Sequence, residues 1–249
     1  MSLLRRYRWL KMQRKCSINK LPYINSMKKI LFCLFITATL SKVSAQEATT
    51  RIFLKDANGI DIRTQSATIE NASYLFHPEY LKANLYTKLG KLSGDFKYKL
   101  LLQYNRLFYQ DPTGADMEVV SPIYKVEFEM PNGSVSVFEK GFDPIDALDQ
   151  NNFYQILSDG KLRLLMDTKF ATETKQVYGT GAVTTTDKLV NFYAASGTRI
   201  FKISKEEQVL SLMSDKASEV AAFIKKEKTK FRKQSDLEKL FNYYNQMTK

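Results

Sequence analysis

Between Arg51 and Ile203, apolar residues recur at every second position in short runs separated by turn dipeptides, the pattern of antiparallel strands. The clearest run is Phe96–Leu102, where Phe96, Tyr98, Leu100 and Leu102 share one face and Lys97 and Lys99 the other. Tyr104–Gln110 continues it, and Asp111-Pro112-Thr113-Gly114 predicts a turn. Ile123–Met130 sets Tyr124, Val126, Phe128 and Met130 against Lys125, Glu127 and Glu129; Pro131-Asn132-Gly133 then turns the chain into Ser134–Glu139. Upstream, Arg51–Lys55 reads as a short strand closed by Asn58-Gly59, while Tyr74–Tyr80 is aromatic and broken by Pro78. Beyond a loop at Gly141–Asn152, one hairpin joins Phe153–Leu157 to Lys161–Met166 through Ser158-Asp159-Gly160. Another joins Leu189–Ala195 to Thr198–Ile203 through Ser196-Gly197. The intervening Thr168–Asp187, rich in threonine with Gly179 and Gly181, predicts a mobile loop with an edge strand around Val177.

At Ser204 the period changes from 2 to 3.6. Ser204-Lys205-Glu206-Glu207 fits a capping box, in which a serine oxygen and a glutamate satisfy free amides at a helix start. Asp215 can cap a second helix with Ala217, Val220, Ala221 and Ile224 on one face. Ser235-Asp236-Leu237-Glu238 is a second capping box, opening a helix whose stripe is Leu237, Leu240, Phe241 and Tyr244. Strands followed by helices predict an α+β fold: an up-and-down antiparallel sheet over 46–203, folded as a sandwich or a curved half-barrel, with a helical tail of two to three short helices over 204–249.

The start of the chain has a different character. Met27–Gln46 carries Lys28 and Lys29, an apolar run from Ile30 to Leu40, and Val43-Ser44-Ala45, the three parts of a secretory signal peptide with cleavage expected between Ala45 and Gln46. An apolar run of 11 residues is short of the about 20 that span a bilayer. Cys33 follows Leu31-Phe32 rather than a small residue, which argues against lipidation. Residues 1–26 precede a complete signal and read as an over-long start, or else as an Arg-rich, acid-free presequence. The expected product is exported to the periplasm, the outer membrane or the medium as one domain, 46–249, with no transmembrane span.

This reading changes the electrostatics. The whole chain has 38 basic and 26 acidic residues; ten of the basic ones fall in 1–45, which contains no Asp or Glu, so 46–249 holds 28 against 26. The near balance removes the electrostatic case for nucleic acid. Cys16, Cys33 and Trp9 also lie in the leader. Disulfides, thiolate nucleophiles and cysteine-held metals are thereby excluded from the mature chain, and its single histidine, His77, excludes sites built on two.

The candidates for chemistry are few. His77, between Phe76 and Pro78, has no motif that supplies a nucleophile or orienting partner, so it reads as packed in an aromatic loop. Asp143, Asp146 and Asp149 supply oxygens that suit calcium, although their spacing departs from the EF-hand pattern and fits a capped turn as well. Lys225, Lys226, Lys228, Lys230, Arg232 and Lys233 form the one concentrated charge of the mature chain. They read either as a binding surface for acidic lipid or polysaccharide or as a solvated helix end. Gly179-Thr180-Gly181 has no helix after it and so lacks converging amides for a phosphate. No catalytic residue and no cofactor is predicted.

Phe153–Leu165 (FYQILSDGKLRLL) and the tail Asp215–Met247, ending LEKLFNYYNQM, resemble a group of exported proteins common in Bacteroidota. These combine an aromatic-Tyr-x-x-Leu strand, a Gly-Lys turn, a Leu-Leu strand and a Lys-rich helix pair ending in Tyr-Tyr-Asn. The resemblance implies export and a one-domain layout and transfers no functional residue; the Thr/Gly-rich Gly179–Thr186 departs from it. The expected function is a non-enzymatic envelope or secreted module that binds a protein or glycan. One alternative is a carrier of a lipid or other apolar ligand in a curved-sheet cavity; another is a carboxylate-based hydrolase.

Overall fold

The computed structural model describes Lys55 and residues 62–92, 96–179 and 181–249, with Val177 as backbone alone. The leader and all of Arg51–Gly59 except Lys55 lie outside the described residues. The remainder is α+β, a 12-stranded antiparallel open sheet followed by helices. The strands are β1 (Thr64–Ser66), β2 (Leu81–Thr87), β3 (Gly90–Lys91), β4 (Lys97–Leu101), β5 (Arg106–Gln110) and β6 (Asp116–Val119). There follow β7 (Lys125–Glu129), β8 (Val135–Glu139), β9 (Tyr154–Ser158), β10 (Arg163–Val177), β11 (Gly181–Ser196) and β12 (Arg199–Ile203). The helices are α1 (Glu206–Leu212), α2 (Ala217–Glu227) and α3 (Gln234–Met247), with 3-10 turns at Ala72–Tyr74 and Ser214–Lys216.

From β4 to β6 and from β7 to β12 the sheet is the expected meander, but β2 lies between the two runs and β1 beyond β6. The order is β1-β6-β5-β4-β2-β7-β8-β9-β10-β11-β12. β2 holds the halves together, pairing β4 through Leu81 and Lys82 and β7 through Ala83–Tyr86. The chain must therefore return from β6 to β7 across the end of β2, by way of 120–124. That crossover builds the site described below.

Alternation places the core as the sequence implies. Val126 and Phe128 of β7, Phe138 of β8, Tyr98 and Leu100 of β4, Leu107 and Tyr109 of β5 and Leu85 of β2 pack together in the first half. These side chains pack against one another as a filled core. In the second half, Leu164 lies opposite Ala194 and Met166 opposite Phe192, so all four share one face. Val209, Met213, Val220, Ile224, Leu237, Leu240, Phe241 and Tyr244 of the helical tail cover it. The opposite face, Leu165 with Tyr193, packs against Phe142, Tyr154 and Ile200 under the β8–β9 loop.

Four expectations need correction. Thr168–Asp187 is not a loop: β10 and β11 pair without interruption from Arg163↔Ala195 to Val177↔Gly181. Cross-strand threonine pairs, Thr172–Thr186 at 3.3 Å and Thr174–Thr184 at 2.9 Å, hold it together where no core does. The first capping interaction sits one residue later than read, because Gln208 Oε1 accepts from the amides of Ser204 and Lys205. Asp215 is not the cap of α2: its carboxylate accepts from Lys161 Nζ (2.6 Å) and the Tyr244 hydroxyl (2.9 Å), clipping the β9–β10 turn to α3. The second box does not form: α3 begins at Gln234 after Lys233 with no side-chain cap, and Asp236 accepts instead from the Lys230 amide. Among the described residues no helix is long and apolar enough to cross a membrane.

Candidate functional site

Where the crossover reaches β7, Tyr124 N donates to Tyr86 O (2.7 Å) and Lys140 N donates to Tyr124 O (2.9 Å). The β2–β3 turn, the crossover and the end of β8 are thereby brought side by side. Gly141 then turns the chain at φ +94°; a Cβ there would lie 2.9 Å from Tyr124 Cε2, so only glycine passes beneath the ring. Its amide donates to Gln150 O (2.9 Å), closing the β8–β9 loop on itself.

These segments enclose a cleft of about 440 Å³, within the range of small-molecule sites. Ile62 and Ile123 form its apolar floor, with Pro122 and Leu89 more exposed; Lys88 and Lys140 are its charges, and among the described residues no Asp or Glu lines it. The Lys140 ammonium sits 4.1 Å from the centre of the Phe153 ring. Burial pulls its pKa down to about 8, against the opposing pull of the Asp149 charge. At neutral pH Lys140 is thus a cation short of water, placed where a bound anion would compensate it. The Tyr124 hydroxyl is committed elsewhere: it donates to Glu139 Oε1 (2.9 Å), and burial together with that bond raises its pKa.

A buried polar network fixes the back of the site. Asn152 and Asp167, each 2 % exposed, are joined by Asn152 Nδ2 donating to Asp167 Oδ1 (3.0 Å). Lys169 Nζ donates to Asn152 Oδ1 (2.7 Å), and Asn105 Oδ1 accepts from the Phe153 amide (2.9 Å). A fully bonded network of this kind holds one geometry, and here it sets the ring on which Lys140 rests.

The residues singled out in the sequence lie apart from the cleft. Asp146 is bound by Lys202 Nζ (2.8 Å), whose hydrogen bond holds its carboxyl below the usual range, and by the Tyr193 hydroxyl (3.3 Å). Asp149 accepts from the Asn151 amide (2.8 Å), and the Asp143 amide donates to Thr198 O (2.8 Å). Among the described residues no three His, Cys, Asp or Glu side chains gather to hold a metal. Lys225, Lys226, Lys228, Lys230, Arg232 and Lys233 are all exposed at the end of α2 and before α3, with Lys233 paired to Asp236 (3.0 Å). His77 Nδ1 accepts from the Glu79 amide (3.1 Å), a local turn contact. Glu139 and Asp159 do approach each other, but through Arg163, which pairs with both. A second hollow of about 600 Å³ beside the β11–β12 turn carries both signs of charge, in Asp143, Lys161 and Arg199, and so defines no ligand class.

Lys140 escaped the sequence reading because one lysine at a strand end is ordinarily solvated, and its apolar surroundings come from segments distant in the chain. The one local signal is Gly141 after it. No family model matches this chain, and the comparisons with curated proteins and solved structures found no match.

Proposed function

We propose that this protein is an exported, non-catalytic binding module, and that its ligand is a small amphiphile with an anionic head and an apolar body. The observation that carries the reading is the cleft itself: an apolar floor, two cations, no acidic residue among the described ones, and one of those cations partly stripped of water. A carboxylate beside Lys140 would restore the interactions its ammonium lacks, while Ile62, Ile123 and Leu89 take the chain behind it. This keeps the carrier alternative but moves the ligand from the packed core of the sheet to the crossover.

Calorimetric titration of the purified protein with dodecanoate and with dodecanol tests this. Saturable binding of the acid is expected, with the alcohol and the Lys140→Met variant weaker by about tenfold or more. Affinity should fall as the pH rises through about 8, where Lys140 loses its proton. Equal binding of acid and alcohol would remove the role of the cation, and no saturable binding of either would dispose of the reading. The intact mass of the protein from fractionated cells tests export, with Gln46 expected at the N-terminus.

A further inference from the structure

The β10–β11 hairpin runs well past its neighbours. β9 pairs β10 only at Leu164–Met166 and β12 pairs β11 only at Phe192–Ser196. Residues 171–176 of β10 and 181–185 of β11 are exposed, and among the described residues no strand lies on either side. A two-stranded ribbon has little stability of its own, and an open edge is a template for another strand.

We propose that the β10 edge of this arm pairs with the same edge of a second copy, antiparallel about a two-fold axis at Thr174. The direction of the backbone fits. The Phe170 amide donates away from β11, to Gln103 Oε1 (2.8 Å). Strand alternation then points the amides and carbonyls of Thr172, Thr174 and Gln176 to the same open edge. A pairing centred on Thr174 sets Thr174 against itself and Thr172 against Gln176 of the other copy, using all these groups in about six main-chain bonds.

The side chains choose a second copy over other strands. In this register Glu173 of each copy lies opposite Lys175 of the other, so two opposite-charge pairs form across the axis. Within one chain, among the described residues, these two pair with each other, at 3.0 Å on an exposed face. Against an arbitrary strand they obstruct pairing; against the same strand inverted they are complementary. The β11 edge offers no equivalent. An axis at Lys188 would set that lysine against itself, and one at Thr186 leaves Asp187 facing Thr185.

The tip gives an independent indication. Tyr178 is wholly exposed, at 105 %. The same register carries it four residues past the axis, level with Phe170 of the other copy. Phe170 packs on Tyr74 (5.1 Å between ring centres), and Tyr74 on the half-exposed Tyr104 (6.0 Å). Each tip thus meets an aromatic group at the base of the other arm, and Gln103, already bonded to the Phe170 amide, ends the ladder there.

Sedimentation equilibrium of the purified protein over a wide concentration range tests this with four chains. The natural chain is expected to dimerise reversibly. E173K and K175E should each weaken the dimer by roughly tenfold or more, since each sets like charges opposite twice. Mixing E173K with K175E should restore association as a heterodimer, and the double variant E173K/K175E should self-associate again. Unchanged thermal midpoints would show the variants folded. A natural chain monomeric at the highest concentration reached, as expected if the arm pairs with a different protein, overturns the proposal. So does a dimer indifferent to E173K, or a mixture that fails to associate.

Discussion

Asn245, on α3, does the work of a missing strand partner. It accepts from the Leu162 amide (3.1 Å) and donates to Leu162 O (2.9 Å), binding the helix to the β9–β10 turn at a buried position. Gly160 makes room for it: a Cβ there would lie 2.5 Å from Asn245 Cγ, on a backbone with φ +153°. Asn245→Ala leaves both Leu162 groups unpaired and should cost about 2–3 kcal/mol in urea denaturation. Gly160→Ala should also destabilise, and in G160A/N245A the two losses should sum to less than their separate values because the clashing partner is gone. The Gly-Lys turn and the Tyr-Tyr-Asn ending stood out separately in the sequence; what neither stretch could disclose is that they touch. Lys140 is the other residue with a measurable signature. Its pKa is lowered to about 8, so the unfolded chain holds this proton more firmly than the folded one. The penalty on the fold is complete below pH 8 and fades as the pH climbs toward the ordinary lysine range, and stability from this group rises with it. Lys140→Met should therefore stabilise the protein at neutral pH, with a gain that shrinks above pH 8. A gain that grows with pH would contradict the burial of this amine.

At the scale of elements, strands that bury a face were legible and strands that do not were missed. β4 and β7 show clean alternation because Tyr98, Leu100, Val126 and Phe128 enter one core. The outer part of β10 and β11 buries nothing, so its apolar alternation vanishes, and threonine with two glycines looks like a loop. The signal that remained was β-branched content, Val183-Thr184-Thr185-Thr186, which suits a pleated surface even without a core. β2 was a different failure, since Leu81, Ala83 and Leu85 alternate plainly but stood next to the more conspicuous YLFHPEY. Because the outer arm adds no core side chain, the fold should not need it. Joining Ala171 to Asp187 through an Asn-Gly turn is expected to shift the thermal midpoint by less than about 2 °C. A shift several times larger would mean that the arm supports the domain, by way of the Tyr74 hydroxyl contact to Thr172 (2.9 Å) or the packing of Tyr74 on Phe170.

For the whole molecule the question is how far the two cores depend on each other. The helical stripes were readable, and Val220, Ile224, Leu237, Leu240 and Phe241 are buried as their spacing implies. What they cover was not readable, because it requires knowing which face of β10 and β11 each register partner occupies. The cleft at Lys140 was hidden for the same reason, its walls being assembled by a crossover between strands that are not neighbours in the chain. The helices cover Leu162, Leu164, Met166, Phe192 and Ile203. At about 1.5–3 kcal/mol for each large side chain returned to water, a chain ending at Ile203 would lose on the order of 10 kcal/mol. That is comparable with the entire stability of an ordinary domain, roughly 5–15 kcal/mol. The first core shares the continuous β7–β8–β9–β10 ladder with the second, so it cannot keep its geometry while β9 and β10 come apart. The truncated chain is therefore expected to lose the near-ultraviolet dichroism of the buried tyrosines in both halves, not only near Tyr193, and to bind a hydrophobic dye such as ANS. A truncated chain that kept a cooperative thermal transition and bound no dye would show instead that the first core stands without the helical layer.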